Sequence, residues 1–123
     1  MTHTILKPSF TRTDARGTLS EILNDGHWEA LLMGSMTPGA VMGDHYHRET
    51  LVFFYLLRGS VAIRTIHIET GERDSFALTT GEGVMLHTDE SHAIHFVETS
   101  DYLMMKSLRY DPANPDTFPF IVD

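Results

Sequence analysis

The chain has 123 residues, carries 17 acidic against 9 basic side chains for a formal net charge of −8, and contains no cysteine. The missing cysteines exclude disulfides, thiolate metal ligands and iron–sulfur clusters, so any metal must be held by histidine and carboxylate, which suits Zn, Fe, Mn, Ni or Cu. The acidic balance, without a cluster of Lys and Arg, excludes nucleic acid and anionic membrane from the expected partners, and no apolar run reaches the length of a bilayer span.

The length leads us to expect one domain over residues 1–123, with its core at about 14–110 and an extended tail over 111–123. Residues 1–7 lack the basic start and apolar centre of a secretory leader, so the cytoplasm is the expected location. Helical periodicity is almost absent, and short apolar segments alternate with turn residues. A strand over 18–23 ends at Asn24, Asp25 and Gly26, and one over 28–36 ends at Thr37, Pro38 and Gly39. Next come 41–47, a polar turn at 48–50, and 51–57, which ends at Arg58-Gly59. Strands over 61–69 and 73–79 flank the hairpin loop Thr70-Gly71-Glu72. Segments 84–87, 92–98 and 102–110 complete the series. Regular short strands with turn signals throughout predict an all-β sandwich or barrel.

Segment 51–57 is apolar at every position, so both its faces are expected to be covered, by a second sheet or by a second copy of the chain. The tail holds Pro112, Pro115 and Pro119, which fix an extended path and exclude regular structure there, with Phe118 and Phe120 expected to pin it onto the barrel.

Strand side chains alternate faces, so His45 and His47 point to one side. A pair of imidazoles on one side is half of a metal site. In a chain with eight histidines one such pair also arises by chance, so the pair needs a partner. His92, on a second histidine-bearing segment, is the candidate third ligand. His95 faces the other way along that strand and reads as a surface residue. His3, His27 and His67 stand alone and read as structural or solvent-facing.

The spacing of Gly39, His45, His47 and Gly59, followed by Gly81 and His92, resembles the two motifs of the cupin superfamily. The resemblance extends from about Asp14 to the C-terminus. It includes residues 14–23, 37–47 and 57–64, Thr70-Gly71-Glu72, His92-Ala93-Ile94 and, most specifically, residues 110–118. These are similar to the C-terminal cupin domain of the bifunctional enzymes of capsular-polysaccharide sugar synthesis, which make an N-acetyl-L-fucosamine precursor. More distantly the chain resembles the sugar-nucleotide 3,4-ketoisomerases, whose paired histidines act without metal. The resemblance implies an antiparallel jelly-roll (a double-stranded β-helix), a divalent metal with zinc first among the candidates, a homodimer, and epimerisation of a 4-keto sugar nucleotide. It also implies a separate reductase partner, because the reductase half of those enzymes has no counterpart in this sequence.

Three departures from the cupin pattern matter. The glutamate position is Val52, which cannot bind a metal; Glu49, in the preceding turn, is the substitute ligand to consider against a solvated loop carboxylate. The proline and glycine of the second motif are His87 and Asp89. Three histidines with an open position still make a workable catalytic metal site.

Epimerisation beside a ketone needs an enolate stabiliser, a base with a pKa near neutrality and a proton donor on the opposite face. His87, expected at the pocket rim, is the candidate base, with a plain rim histidine or a fourth ligand as the alternative readings. Tyr55 and Tyr102 are the candidate donors, and nothing in the sequence chooses between them. Arg64 and Lys106 are candidates for holding a diphosphate, though solvent-facing strand residues look the same in sequence. Two other functions stay open: an Fe(II) dioxygenase of a small molecule, and a non-catalytic sugar- or metal-binding cupin that lost its chemistry with the glutamate.

Overall fold

The computed structural model describes residues 3–123. In chain order its strands are β1 (Phe10–Asp14), β2 (Gly17–Glu21), β3 (Ala30–Met36), β4 (Val41–Tyr46), β5 (Val52–Arg58), β6 (Ser60–His67), β7 (Arg73–Thr79), β8 (Glu82–Leu86), β9 (Glu90–Phe96), β10 (Ser100–Lys106) and β11 (Phe118–Pro119). β1 and β2 form a hairpin of their own. The others make a four-stranded sheet in the order β3-β10-β5-β8 and a five-stranded sheet in the order β11-β4-β9-β6-β7. Every pairing is antiparallel. No helix is present among the described residues. The architecture is the expected all-β jelly-roll.

Alternation along each strand builds the core. Val52, Phe54 and Leu56 of β5, Val84 and Leu86 of β8, and Tyr102 and Met104 of β10 face Val61 and Ile63 of β6, Leu78 of β7, and Ile94 and Phe96 of β9. Phe54 sits at the centre, stacked on Tyr102 at 5.3 Å and edge-on to Phe96 at 6.5 Å. β10 pairs Tyr102 with Leu56 at one end and Lys106 with Val52 at the other. The Lys106 end is the open mouth.

β5 is covered on both faces, as its composition requires, but the outer cover is this chain's own. Trp28 meets Phe53 at 6.5 Å, and Ile22, Leu23 and Leu103 share a groove with Phe53 and Tyr55. β1 escaped the sequence reading because its polar residues pair only with β2 and all ten residues of the hairpin are exposed. The tail is a second correction. Phe118 and Pro119 form β11 against Tyr46 and His45, so the prolines do not exclude regular structure there. An edge strand tolerates proline because one row of its backbone groups needs no partner. Val122, fully buried with Ile66 and Ala93, is the main apolar anchor, whereas Phe120 is 39% exposed.

Candidate metal centre

Simple alternation from Met42, which packs against the core, would send His45 and His47 outward. A β-bulge prevents this. The register runs Met42–Ile94, Gly43–Ala93 and then His45–His92, leaving Asp44 as the extra residue. Both bulge residues have positive φ, +106° at Gly43 and +55° at Asp44. Gly43 also lies so close to the His92 backbone that a Cβ would collide with its carbonyl oxygen. The tail braces the bulge: Asp44 accepts hydrogen bonds from the N–H groups of Phe120 through its carbonyl (2.8 Å) and of Val122 through its carboxylate (3.1 Å).

The bulge brings His45 and His47 to the inner face beside His92. One ring nitrogen from each lies within 4.8 Å of the others, and among the described residues this is the group able to hold a metal ion. Ring centroids are 4.8 Å apart for His45 and His92, and 5.1 Å for His45 and His47. A tetrahedral zinc with bonds of about 2.0–2.1 Å holds its ligand nitrogens roughly 3.4 Å apart, so small side-chain rotations close the cluster. His92 Nδ1 is buried with no hydrogen-bond partner, a state that a bound ion or water relieves.

Electrostatics keep the three rings in their ligating, neutral form. Burial is the main cause of the low pKa of each. Charge on His47 and Lys106 adds to the effect at His45, and Lys106 adds to it at His47, against the raising influence of Asp116. His92 is pushed down to about 3 by burial, then by His45, His47 and Lys106. Below about pH 6.5 the unfolded chain therefore binds more protons on these rings than the folded chain does, and stability must fall as the pH drops through that window. His3 acts in the opposite direction. Burial would lower its pKa, but Glu90 and Asp74, each 2.7 Å from a ring nitrogen, raise it instead. Its contribution is full below the unfolded value and is lost as the pH rises through the folded one. We expect His92 alone to add a slope of about 1.4 kcal/mol per pH unit between roughly pH 6.5 and pH 4. Urea unfolding across that range checks this, and His92→Gln should flatten the slope by the same amount.

Of the other expected site residues, Lys106 lies at the mouth with His47 and Thr50, in a cleft of ≈ 200 Å³. No carboxylate pairs with it among the described residues. Glu49 lines the same cleft, exposed, outside the histidine group, so its place is the rim rather than the ligand set. Val52 is on the inner face, 1% exposed, across from Lys106.

His87 and Tyr55 are elsewhere. Val84 and Leu86 take the inner positions of β8, so Met85 and His87 face outward, where His87 meets the His3 ring at 5.8 Å. Tyr55 shares the outer face of β5 with Phe53. Tyr102 points inward, but its partner in β5 is Leu56, about 13 Å along the strand from Val52 at 3.3 Å per residue. Arg64 is on the outer face of β6, bound to Asp123 at 2.8 Å. His95 is outward and half-buried, 3.6 Å from Asp123. The sequence reading missed Glu29, Arg109, Tyr110 and Asp116 at the rim. The strand expected over 102–110 stops at Lys106, where the chain leaves the sheet and lines the mouth with Leu108, Arg109 and Tyr110. Its signal was the polar step at Ser107.

A family model described as the polysaccharide biosynthesis C-terminal domain matches residues 12–118. The chain belongs to that family. Solved structures share its fold. The capsular polysaccharide assembling protein CapF of Staphylococcus aureus superposes with a TM-score of 0.73 at 22% identity, over 92% of this chain and 34% of that one. The dTDP-4-dehydrorhamnose 3,5-epimerase of Sulfolobus tokodaii gives 0.76 at 16% identity, over 89% and 73%. The epimerase RmlC of Legionella pneumophila, solved with dTDP-4-keto-L-rhamnose, gives 0.75 at 16% identity, over 94% and 70%. The chain thus spans about a third of the length of CapF. No curated protein matches the sequence. The polysaccharide biosynthesis C-terminal domain is also the family to which the motif resemblance led. No helix of the described residues is long and apolar enough to cross a membrane.

Proposed function

We propose that this domain is a metal-assisted epimerase or isomerase of a keto sugar, acting in the cytoplasm on a 4-keto-6-deoxy nucleotide sugar for surface polysaccharide. The observation that carries the reading is the three-histidine group on the inner face beside an unpaired lysine. Zinc is the first candidate for a site of three neutral imidazoles with an open position. When bound, a divalent ion supplies Lewis acidity toward the sugar's carbonyl oxygen. His45, His47 and His92 would hold that ion, and Lys106 would offer its ammonium to the oxygen on which negative charge grows as the neighbouring C–H proton leaves. The rim carboxylate Glu49 is the candidate to receive that proton, and Tyr110 the candidate to return one. Arg109, at the same rim, suits the diphosphate.

Solvent deuterium tests the reading directly. Zinc-loaded protein in deuterium oxide should exchange the proton beside the ketone of a dTDP-4-keto-6-deoxy sugar; no incorporation with metal loaded would sink it. A non-catalytic binding module is the second reading, favoured by the outward placement of His87 and Tyr55. Tight sugar-nucleotide binding without exchange would establish it instead.

A homodimer forms part of the same proposal. Among the described residues β3 pairs only with β10, leaving its other edge without a strand partner there, and Leu31 and Met33 on its outer face are 68% and 77% exposed. The β1–β2 hairpin is wholly exposed and carries Phe10 and Leu19, and an isolated two-stranded hairpin is marginal in water. A second copy would cover both. Sedimentation should give twice the chain mass at micromolar concentration, and a monomer would exclude the pairing. A reductase acting on the epimerised product is the further partner this reading expects.

A further inference from the structure

We propose that Asp116, in the C-terminal tail, is a positioning residue that fixes the orientation and tautomer of His47. The inference rests on the reading of the three histidines as a ligand set, and deepens it. His47 Nδ1 lies 2.6 Å from the carbonyl oxygen of Asp116. A carbonyl oxygen only accepts, so Nδ1 carries the proton and donates it, and Nε2 keeps its lone pair for the site.

The same residue holds that carbonyl still. Its carboxylate receives the backbone N–H groups of Arg48 (2.8 Å), Glu49 (2.9 Å) and Thr50 (2.7 Å), and the hydroxyl of Thr50 (2.8 Å). The turn that follows His47 is therefore wrapped on one carboxylate from a segment 66 to 69 residues away. Burial pushes the Asp116 carboxyl up, but these donors outweigh it and hold the group below the usual range, so it stays an ionised acceptor. Phe118 locks the segment from the other side, stacked on Tyr46 at 5.3 Å with the Arg48 guanidinium 4.3 Å from its ring centre. One residue thus ties the backbone after His47 and the ring of His47 to a common anchor. Partners of this kind orient ligating histidines, and their loss costs about 10–100-fold in metal affinity.

The test begins with metal-free wild-type protein and long-range nitrogen–proton correlation NMR of the imidazoles. We expect His47 in the Nδ1–H form; finding it as Nε2–H overturns the proposal whatever the variants do. Asp116→Asn removes the ionised acceptor while keeping the shape. It should turn His47 into a mixture of tautomers and weaken zinc about 10–100-fold in chelator competition. Thr50→Ala removes only one of the donors and should cost less. If Asp116→Asn lowers Tm but leaves the tautomer and the affinity of the folded protein unchanged, Asp116 is an anchor for the tail and the proposal fails. The tautomer is read without metal, so a wild-type protein that binds none of zinc, iron, manganese or nickel would sink the proposed function and leave this assignment standing.

Discussion

Replacing Gly43 by alanine is expected to destabilise the fold by about 2–4 kcal/mol and to weaken the histidine cluster in the same step. Two causes add. The backbone at φ +106° is rarely adopted by residues with a Cβ, and the new methyl would strike the His92 carbonyl and press on its Cδ2 at 3.0 Å. His92 is a member of the cluster, so the strain falls on the site itself. The bulge at Gly43 and Asp44 also decides which face His45 and His47 occupy, and its loss would turn them outward. Gly39 supplies the control. Its φ is +87°, but a Cβ there meets open space, so Gly39→Ala should cost only about 1–2 kcal/mol and leave zinc binding intact. Urea unfolding and zinc competition on the two variants check the contrast. Equal effects would remove the bulge from the account.

Val52→Glu should move stability and metal affinity in opposite directions. Val52 is 1% exposed on the inner face, with Lys106 and Leu86 as its cross-strand neighbours. A carboxyl there, without metal, is buried and only partly compensated by Lys106, so the metal-free variant should lose roughly 3 kcal/mol. With zinc present the carboxylate adds a charged fourth ligand, and affinity should rise roughly tenfold or more. Thermal unfolding with and without zinc reads both effects. A variant unchanged in both would place Val52 away from the site and break the correspondence between this chain and the glutamate-bearing cupin pattern.

The strands were legible because their turns are marked by Gly, Pro, Asn and Asp and their apolar content is high; β7 was placed at its observed bounds. β1 was not, because a polar strand in an exposed hairpin leaves no periodic trace. The grouping of His45 and His47 was legible from spacing, since side chains two apart on a strand share a face whatever the bulge does upstream. The phase of that face was not, because it depends on a bulge that only tertiary pairing reveals. His87 and Tyr55 failed for a related reason. Spacing puts a residue near a strand end, but the inward set is fixed by which neighbours fill the core, and Val84, Leu86, Val52, Phe54 and Leu56 fill it here. Asp116 was out of reach, because nothing local in sequence ties a residue of the tail to a turn 66 positions earlier.

We expect His45, His47 and His92 to form one metal site. Zinc titration of tag-free protein against a competing chelator, with metal content measured on the same samples, tests it most directly. One zinc per wild-type chain is expected, with loss of about a thousandfold or more in affinity on His47→Ala while the fold survives, since a ligand is removed outright. A wild-type protein that takes up no stoichiometric zinc, iron, manganese or nickel, or a His47→Ala variant that binds zinc as the wild type does, would contradict it.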